Sequence, residues 1–162
     1  MSMDAATFLA VLRKLRRHPG PAGPAPHKPL MLLYALVQLR QHGRHRIGYR
    51  DADRVVGSLL ARNASAGTRA RVADPFLRLE TDGIWQVELA DRVEVLDGGG
   101  NGRPAILARL DPQAGFSDPI LALLRHCPAL VDEAINQLLD DNFPQDGHSA
   151  IITALGTDGA AG

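Results

Sequence analysis

The chain has 162 residues, of which 45% are hydrophobic and 22% are charged. This composition is typical of one globular domain and excludes a fibrous or fully disordered chain. No apolar run approaches the ~18 residues that a membrane-spanning helix needs. The sequence does not open on a signal-peptide pattern, so we expect a cytoplasmic protein. The single cysteine, Cys127, excludes an internal disulfide.

The formal net charge is zero, but the charges are divided unevenly along the chain. Residues 1–80 contain 14 basic and 5 acidic side chains, a net charge of +9. Residues 81–162 contain 4 basic and 13 acidic side chains, a net charge of −9. Sixteen of the 18 basic residues are arginine, whose planar fork suits phosphate groups and guanine edges. The basic half therefore predicts contact with nucleic acid.

The first elements in chain order are two helices. A stripe of apolar residues at helical spacing predicts an amphipathic helix over about residues 4–17. Four prolines and two glycines predict an extended linker over residues 19–26. Pro29 suits the first turn of a second helix. Residues 30–37 are apolar on every side of that helix, which predicts the buried centre of the fold.

The middle of the chain predicts a third helix and a loop. A basic turn at residues 42–46 leads into a short extended stretch at 47–49. Asp51 is a candidate cap for a helix that ends near Asn63. Residues 64–73 lack periodicity, which indicates an exposed loop.

The next segment has the pattern of a β-hairpin. Its arms are residues 76–79 and 84–87, joined by a Thr-Asp-Gly turn at 81–83. A glycine-rich loop at 98–102 then leads to Arg103. Further helices are predicted at residues 104–110, 118–126, 128–139 and 149–155.

These elements together predict an α+β fold with a mainly helical core and a small antiparallel hairpin or sheet, similar to a winged helix. We expect a single domain over residues 1–155 that contains the 19–26 linker. A flexible tail is expected at residues 156–162.

Residues suited to catalysis are scarce. A nuclease centre needs clustered carboxylates with a lysine, or paired histidines with an asparagine, to hold a metal and orient a water. Lys14 and Lys28 are the only lysines of the sequence, and neither follows an acidic pair at nuclease spacing. His42 and His45 are three residues apart but stand among arginines, which repel a metal ion. We therefore predict a chain that is not an enzyme and has no metal and no cofactor.

Several short motifs occur in a distinctive order. They are Ala-Pro-His-Lys-Pro-Leu at 25–30, Asp-Pro-Phe-Leu-Arg-Leu at 74–79, Asp-Gly-Ile-Trp at 82–85, Ala-Gly-Phe at 114–116 and Leu-Leu-Asp-Asp-Asn-Phe-Pro at 138–144, with a closing segment at 151–156. Through these motifs, residues 25–156 resemble the sulfur-binding domain of phosphorothioation-dependent type IV restriction endonucleases. Each motif is weak alone, and the ordered set makes the resemblance specific.

The resemblance implies that the chain recognises double-stranded DNA in which sulfur replaces one non-bridging phosphate oxygen, in the Rp configuration. In that family the domain precedes an HNH nuclease domain. This sequence contains no HNH pattern. The resemblance thus implies a reader that targets a linked or partner HNH nuclease, with no catalytic centre of its own.

The resemblance also implies a sulfur pocket made of a histidine, a basic neighbour and a proline-containing loop. The matching residues are His27, Lys28, Pro29, Ala73, Asp74, Pro75 and Arg78. Many relatives have tyrosine where this chain has Asp74, and an acid beside a phosphate is unfavourable. Either Asp74 turns away, or Ala73 and Val72 form part of an apolar wall.

Sulfur is larger and less strongly hydrated than oxygen, so an apolar dimple flanked by cations favours the modified group. The remaining affinity requires ordinary phosphate contacts. Arg103, beside the glycine-rich loop, is the predicted reader of a guanine edge, with Arg109 close behind it. The candidate contacts to DNA bases and phosphates are Arg44, Arg46, Arg69, Arg71, Arg103 and Arg109.

Two other functions fit the same residues. A winged-helix regulator would bind some unmodified operator sequence with high affinity. A protein-interaction module would use its basic half to dock an acidic partner or the acidic half of a second copy. Self-association that depends on salt, without DNA binding, would favour the second alternative.

Overall fold

The structure is a computed structural model that describes residues 4–15, 19–20, 23–24, 27–63, 72–89 and 103–156. The elements are α1 (Ala5–Lys14), β1 (Pro19–Gly20), β2 (Gly23–Pro24), α2 (His27–His42), β3 (Ile47–Gly48), α3 (Tyr49–Asn63), α4 (Ala73–Arg78), a 3-10 turn (Leu79–Asp82), β4 (Trp85–Val87), α5 (Pro104–Leu110), β5 (Gln113–Phe116), α6 (Asp118–His126), α7 (Pro128–Asn142), a second 3-10 turn (Gln145–Gly147) and α8 (His148–Leu155). The predicted mainly helical fold with a small antiparallel sheet is confirmed. The likeness to a winged helix stays a prediction.

Helix α2 lies at the centre of the fold. Its residues from Pro29 to Gln38 are all buried, as the apolar run predicts. Helices α3, α4, α7 and α8 pack against it, and α1 packs against α7. Gln38 is the polar member of this run, and its Nε2 donates to the carbonyl oxygen of Leu155 at 2.8 Å. The buried amide is therefore satisfied, as a core position requires.

An aspartate lies at or near the beginning of both α1 and α3, but the two have different roles. The Asp4 carboxylate caps α1 by accepting a hydrogen bond from the Thr7 N–H at 2.8 Å, and this bond lowers the pKa of the carboxyl group. Asp51 was expected to cap α3, and this prediction is wrong. The helix begins at Tyr49, directly after β3, so Asp51 lies in its first turn.

Within the described residues, a three-stranded antiparallel sheet has the strand order β3, β5, β4. Ala114 of β5 pairs with Ile47 of β3, and Phe116 of β5 pairs with Trp85 of β4. The rings of Trp85 and Phe116 pack edge to face, with their centroids 5.7 Å apart. The central strand β5 is not among the elements predicted from the sequence.

The predicted hairpin is wrong in its first arm. Residues 76–79 belong to α4 and the first 3-10 turn, while β4 pairs with β5. Short apolar runs fit a buried helical turn as well as a strand, and here the Phe76 N–H donates to the Val72 carbonyl at 3.1 Å. The second arm is confirmed as β4. Gly83, with φ of 82°, ends the 3-10 turn in a backbone conformation that glycine adopts readily.

The helices predicted in the last third of the chain are confirmed, with α7 continuing to Asn142. The 19–26 segment contains the antiparallel pair of β1 and β2. The glycine-rich loop at 98–102, the loop at 64–71 and the tail from residue 157 lie outside the described residues. In the described part of the chain, no helix has both the length and the apolar character needed to cross a membrane.

Gly115 of β5 has no room for a side chain. A Cβ atom at this position would lie 2.5 Å from the backbone carbonyl oxygen of His45. Gly115→Ala is therefore expected to lower the free energy of unfolding by about 1–3 kcal/mol, measured by urea denaturation.

Gly57→Ala in α3 is the matched control. Its Cβ would make ordinary contacts, 3.6 Å from Val72 Cγ2 and 3.8 Å from Asp53 Oδ1. We expect this variant to be more stable by about 0.5–1 kcal/mol, because alanine costs less backbone entropy in a helix. Equal effects of the two alanines would contradict the close approach of His45 to β5.

Candidate nucleic-acid interface

The predicted pocket residues lie on two elements that contact each other. His27, Lys28 and Pro29 form the first turn of α2, which packs against α4. Lys28 Nζ lies 2.9 Å from Oδ2 of Asp82, in the 3-10 turn that follows α4. We call residues 27–29, 73–78 and Asp82 the α2–α4 junction. Two elements that carry predicted pocket residues, more than 40 positions apart in the sequence, thus pack against each other.

The apolar and charged members of the junction differ in exposure. Pro29, Ala73 and Pro75 are buried, Ala73 at 0% exposure. The Lys28 side chain is 18% exposed, and Arg78 is exposed. All three therefore pack inside the fold in this conformation. The side chain of Asp74 lies outside the described part of the chain, so both hypotheses about its direction stay predictions.

The segment that follows α4 is held by hydrogen bonds at both ends. The Trp85 Nε1–H donates to the buried carbonyl oxygen of Phe76 at 2.9 Å. The Val87 N–H donates to Glu80 Oε2 at 2.9 Å. The first bond joins β4 to α4, and the second joins β4 to the 3-10 turn between them. The backbone that carries Asp82 is therefore fixed in place.

Arg44 and Arg46 both contact groups of the protein itself. Arg44 Nη1 donates to Gln38 Oε1 at 3.3 Å. The Arg46 side chain is 21% exposed, with Nε 3.5 Å from Glu88 Oε1 and Nη2 3.6 Å from Asp118 Oδ1. Both carboxylates are largely exposed, so solvent weakens these pairs. The predicted DNA contacts of Arg44 and Arg46 stay predictions.

Arg103 and Arg109 stand at the two ends of α5. Arg103 is the residue before the helix, Arg109 lies in its last turn, and both are exposed. Arg50 of α3 fixes this helix, because its Nε donates to the Ala108 carbonyl at 2.6 Å. The Arg50 N–H donates to Asp111 Oδ1 at 2.9 Å, and Asp111 ends α5 in the left-handed conformation with φ of 47°. The first turn of α3 thus holds the C-terminal end of α5.

Sequence reasoning missed the contacts of Asp82 and Arg50. The sequence places Asp82 in the 81–83 turn and indicates no contact for Arg50. Their partners lie 54 and 58 residues away, so no local pattern signals either contact. Arg69 and Arg71 lie outside the described residues. Where side chains are described, no group of three or more His, Cys, Asp and Glu residues could hold a metal ion.

Comparison with known protein families identifies one that matches this chain. The sequence model described as "ScoMcrA-like, DNA sulfur-binding domain" matches residues 5–160. Comparison with curated proteins gives no match.

Solved structures show the same fold. The sulfur-binding domain of ScoMcrA complexed with phosphorothioated DNA has a TM-score of 0.75 and 24% identity, covering 93% of this chain and 99% of that one. The sulfur-binding domain of SprMcrA complexed with phosphorothioated DNA has a TM-score of 0.70 and 23% identity, covering 94% and 96%. The type IV phosphorothioation-dependent restriction endonuclease ScoMcrA has a TM-score of 0.70 and 25% identity. That match covers 90% of this chain and 32% of the endonuclease, so this chain spans about a third of its length.

Arg50→Lys tests the attachment of α5 to α3. Lysine has no Nε–H, so the bond to the Ala108 carbonyl is lost, and we expect the free energy of unfolding to fall by about 1 kcal/mol. Arg54→Lys is the control, because Arg54 lies in the same helix and forms an exposed ion pair with Asp51 at 3.2 Å. Its effect should stay within about 0.5 kcal/mol in urea denaturation. A larger loss in Arg54→Lys than in Arg50→Lys would contradict this role.

Proposed function

The chain belongs to the ScoMcrA-like DNA sulfur-binding domain family, and we propose that it binds double-stranded DNA in which sulfur replaces a non-bridging phosphate oxygen. The observation that supports the proposal is the contact between α2 and α4, the two elements that carry the predicted pocket residues. Its relatives ScoMcrA and SprMcrA have sulfur-binding domains solved with phosphorothioated DNA.

The junction has the chemistry that sulfur selection needs. Lys28 and His27 place cationic or polar groups at the start of α2, where the positive end of the helix dipole also favours an anion. The first turn contains no acidic residue. We assign the apolar floor for the sulfur to Pro29 and Pro75, which are buried in this structure. A phosphate oxygen placed on that floor loses its hydration, whereas the weakly hydrated sulfur loses less.

We assign the remaining affinity to exposed arginines. Arg78 is exposed on α4, and Arg103 and Arg109 are exposed at the ends of α5. Such contacts supply affinity that weakens as salt rises, because binding releases counterions from the duplex. Arg103 is the proposed reader of a guanine edge next to the sulfur. Arg44, Arg46, Arg69 and Arg71 complete the proposed set of DNA contacts.

In the cell we propose that this domain, over residues 1–155, directs a nuclease to modified DNA. The relative ScoMcrA is a type IV phosphorothioation-dependent restriction endonuclease, of which this chain spans about a third. We assign cleavage to a linked or partner HNH nuclease domain. The chain itself then acts as a reader of the modification and not as an enzyme.

Fluorescence anisotropy tests this function directly. A short duplex with one Rp phosphorothioate and its unmodified twin are titrated at ~150 mM salt, where non-specific binding is weak. We expect at least tenfold preference for the modified duplex, about 1.4 kcal/mol. Lys28→Ala and His27→Ala should each reduce that preference.

The control is Lys14→Ala, which removes the other lysine of the sequence from an exposed position in α1. This variant should keep the preference. Equal binding of both duplexes by the wild type would contradict the proposal and favour a regulator of unmodified DNA. Failure to bind either duplex, with self-association that depends on salt, would favour a protein-interaction module.

Arg103→Ala tests base reading. If Arg103 pairs with a guanine, its loss should cost about 1–3 kcal/mol on duplexes that carry this base beside the sulfur, and much less on the others. The measurement is anisotropy on a set of modified duplexes that differ only at the flanking base pairs. An equal loss on every duplex would show that Arg103 contacts a phosphate instead.

A further inference from the structure

We infer that Asp82 is a specificity-determining residue, which positions the Lys28 ammonium group and thereby makes the junction reject ordinary phosphate. The inference rests on the proposed function. Its structural basis is the 2.9 Å contact between Lys28 Nζ and Asp82 Oδ2. Asp82 acts through Lys28 and needs no contact with DNA of its own.

The Lys28–Asp82 pair is more shielded from solvent than the Arg40–Asp132 pair. Its side chains are 18% and 24% exposed. Arg40 and Asp132 form a pair of similar length, 3.0 Å, whose side chains are 50% and 52% exposed. Charges interact more strongly where less water surrounds them. The Lys28–Asp82 contact therefore constrains its members more tightly than a surface pair does.

Asp82 is the rigid member of this pair. It ends the 3-10 turn, where the Gly83 N–H donates to the Glu80 carbonyl at 3.2 Å. Thr81 Oγ1 donates to the carbonyl oxygen of Arg78 at 2.7 Å, which closes the turn on α4. Lys28, in contrast, has a flexible four-carbon side chain. The carboxylate therefore sets the direction in which the ammonium group points.

This arrangement affects phosphate and phosphorothioate differently. Asp82 occupies one donor of Lys28, so the ammonium group cannot follow a phosphate oxygen to its best hydrogen-bonding position. The carboxylate also lowers the positive potential that attracts any anion. A sulfur atom compensates through contact with the apolar floor at Pro29 and Pro75, which an oxygen cannot use without losing water. Asp82 thus disfavours the unmodified backbone more than the modified one, which raises specificity at some cost in affinity.

Asp82→Asn is the direct test. Asparagine keeps the size of the side chain, but its neutral amide oxygen holds the ammonium group more weakly than the carboxylate does. In the anisotropy assay with the Rp duplex and its unmodified twin, affinity for the unmodified duplex should rise more than affinity for the modified one. The ratio of the two affinities should fall at least about threefold, or about 0.7 kcal/mol.

Asp132→Asn is the matched control, since it removes the same charge from the exposed pair with Arg40. It should change both affinities about equally and leave their ratio unchanged. A double-mutant cycle then separates positioning from a general charge effect. In a Lys28→Met background, Asp82→Asn should no longer alter the ratio. Thermal unfolding checks that each variant is folded, and Asp82→Ser replaces Asp82→Asn if the latter is not.

The outcomes separate this inference from the proposed function. If the wild type prefers the modified duplex but the ratio is unchanged in Asp82→Asn, the inference is wrong and the function stands. If Asp82→Asn has the same effect with and without Lys28, Asp82 does not act through Lys28, and the inference is again wrong. If the wild type binds both duplexes equally, the proposed function fails and the inference fails with it.

Discussion

Burial of α2 on all sides is the constraint on which the rest of the structure depends. The helix is enclosed from Pro29 to Gln38, so the position of its first turn is set by packing along its length. Its other end is held through the bond from Gln38 to the Leu155 carbonyl. A dense core transmits such restraints because it deforms little. His27 and Lys28 are therefore presented by a rigid support, which is what a small pocket for one atom requires.

Besides a rigid support, the proposed pocket requires several cationic side chains close to an apolar surface, and these must not destabilise the fold. The protein meets it by pairing many of its basic groups with its own acids or carbonyl oxygens. Lys28 contacts Asp82, Arg46 lies near Glu88 and Asp118, and Arg50 caps α5. Basic residues of the first half thus meet acids of the second half. The opposite net charges of the two halves of the sequence are partly explained by these contacts.

The sequence predicts most helices because their signals are local. Apolar periodicity and prolines in first turns lie within the elements that they define. The strand β5 shows the limit of such signals. Its residues Gln-Ala-Gly-Phe have little intrinsic preference for a strand, and the pairing with β3 and β4 that creates it is non-local. Residues 76–79 were predicted as a strand for a similar reason. A short apolar run fits the spacing of a helix as well as that of a strand, so its secondary structure depends on non-local contacts.

The sequence also predicts only part of the candidate site. Resemblance to a family places His27, Lys28 and Pro75 in one pocket, and the contact between α2 and α4 is consistent with that. It does not reveal Asp82, because the pair with Lys28 depends on the backbone path of the 3-10 turn. Nor does it reveal that Arg46 already has acidic neighbours. The sequence shows how many cationic side chains are present, whereas the fold decides which of them contact acidic groups of the protein itself.

The most direct test of the central claim is to locate the sulfur. A crystal structure of this chain with an Rp phosphorothioate duplex, with the sulfur identified by its anomalous scattering, would do so. The account predicts a sulfur within van der Waals contact, about 4 Å, of Pro29 or Pro75, with Lys28 beside the modified group. A sulfur bound away from the α2–α4 junction, or a duplex that leaves this junction uncovered, would contradict the account.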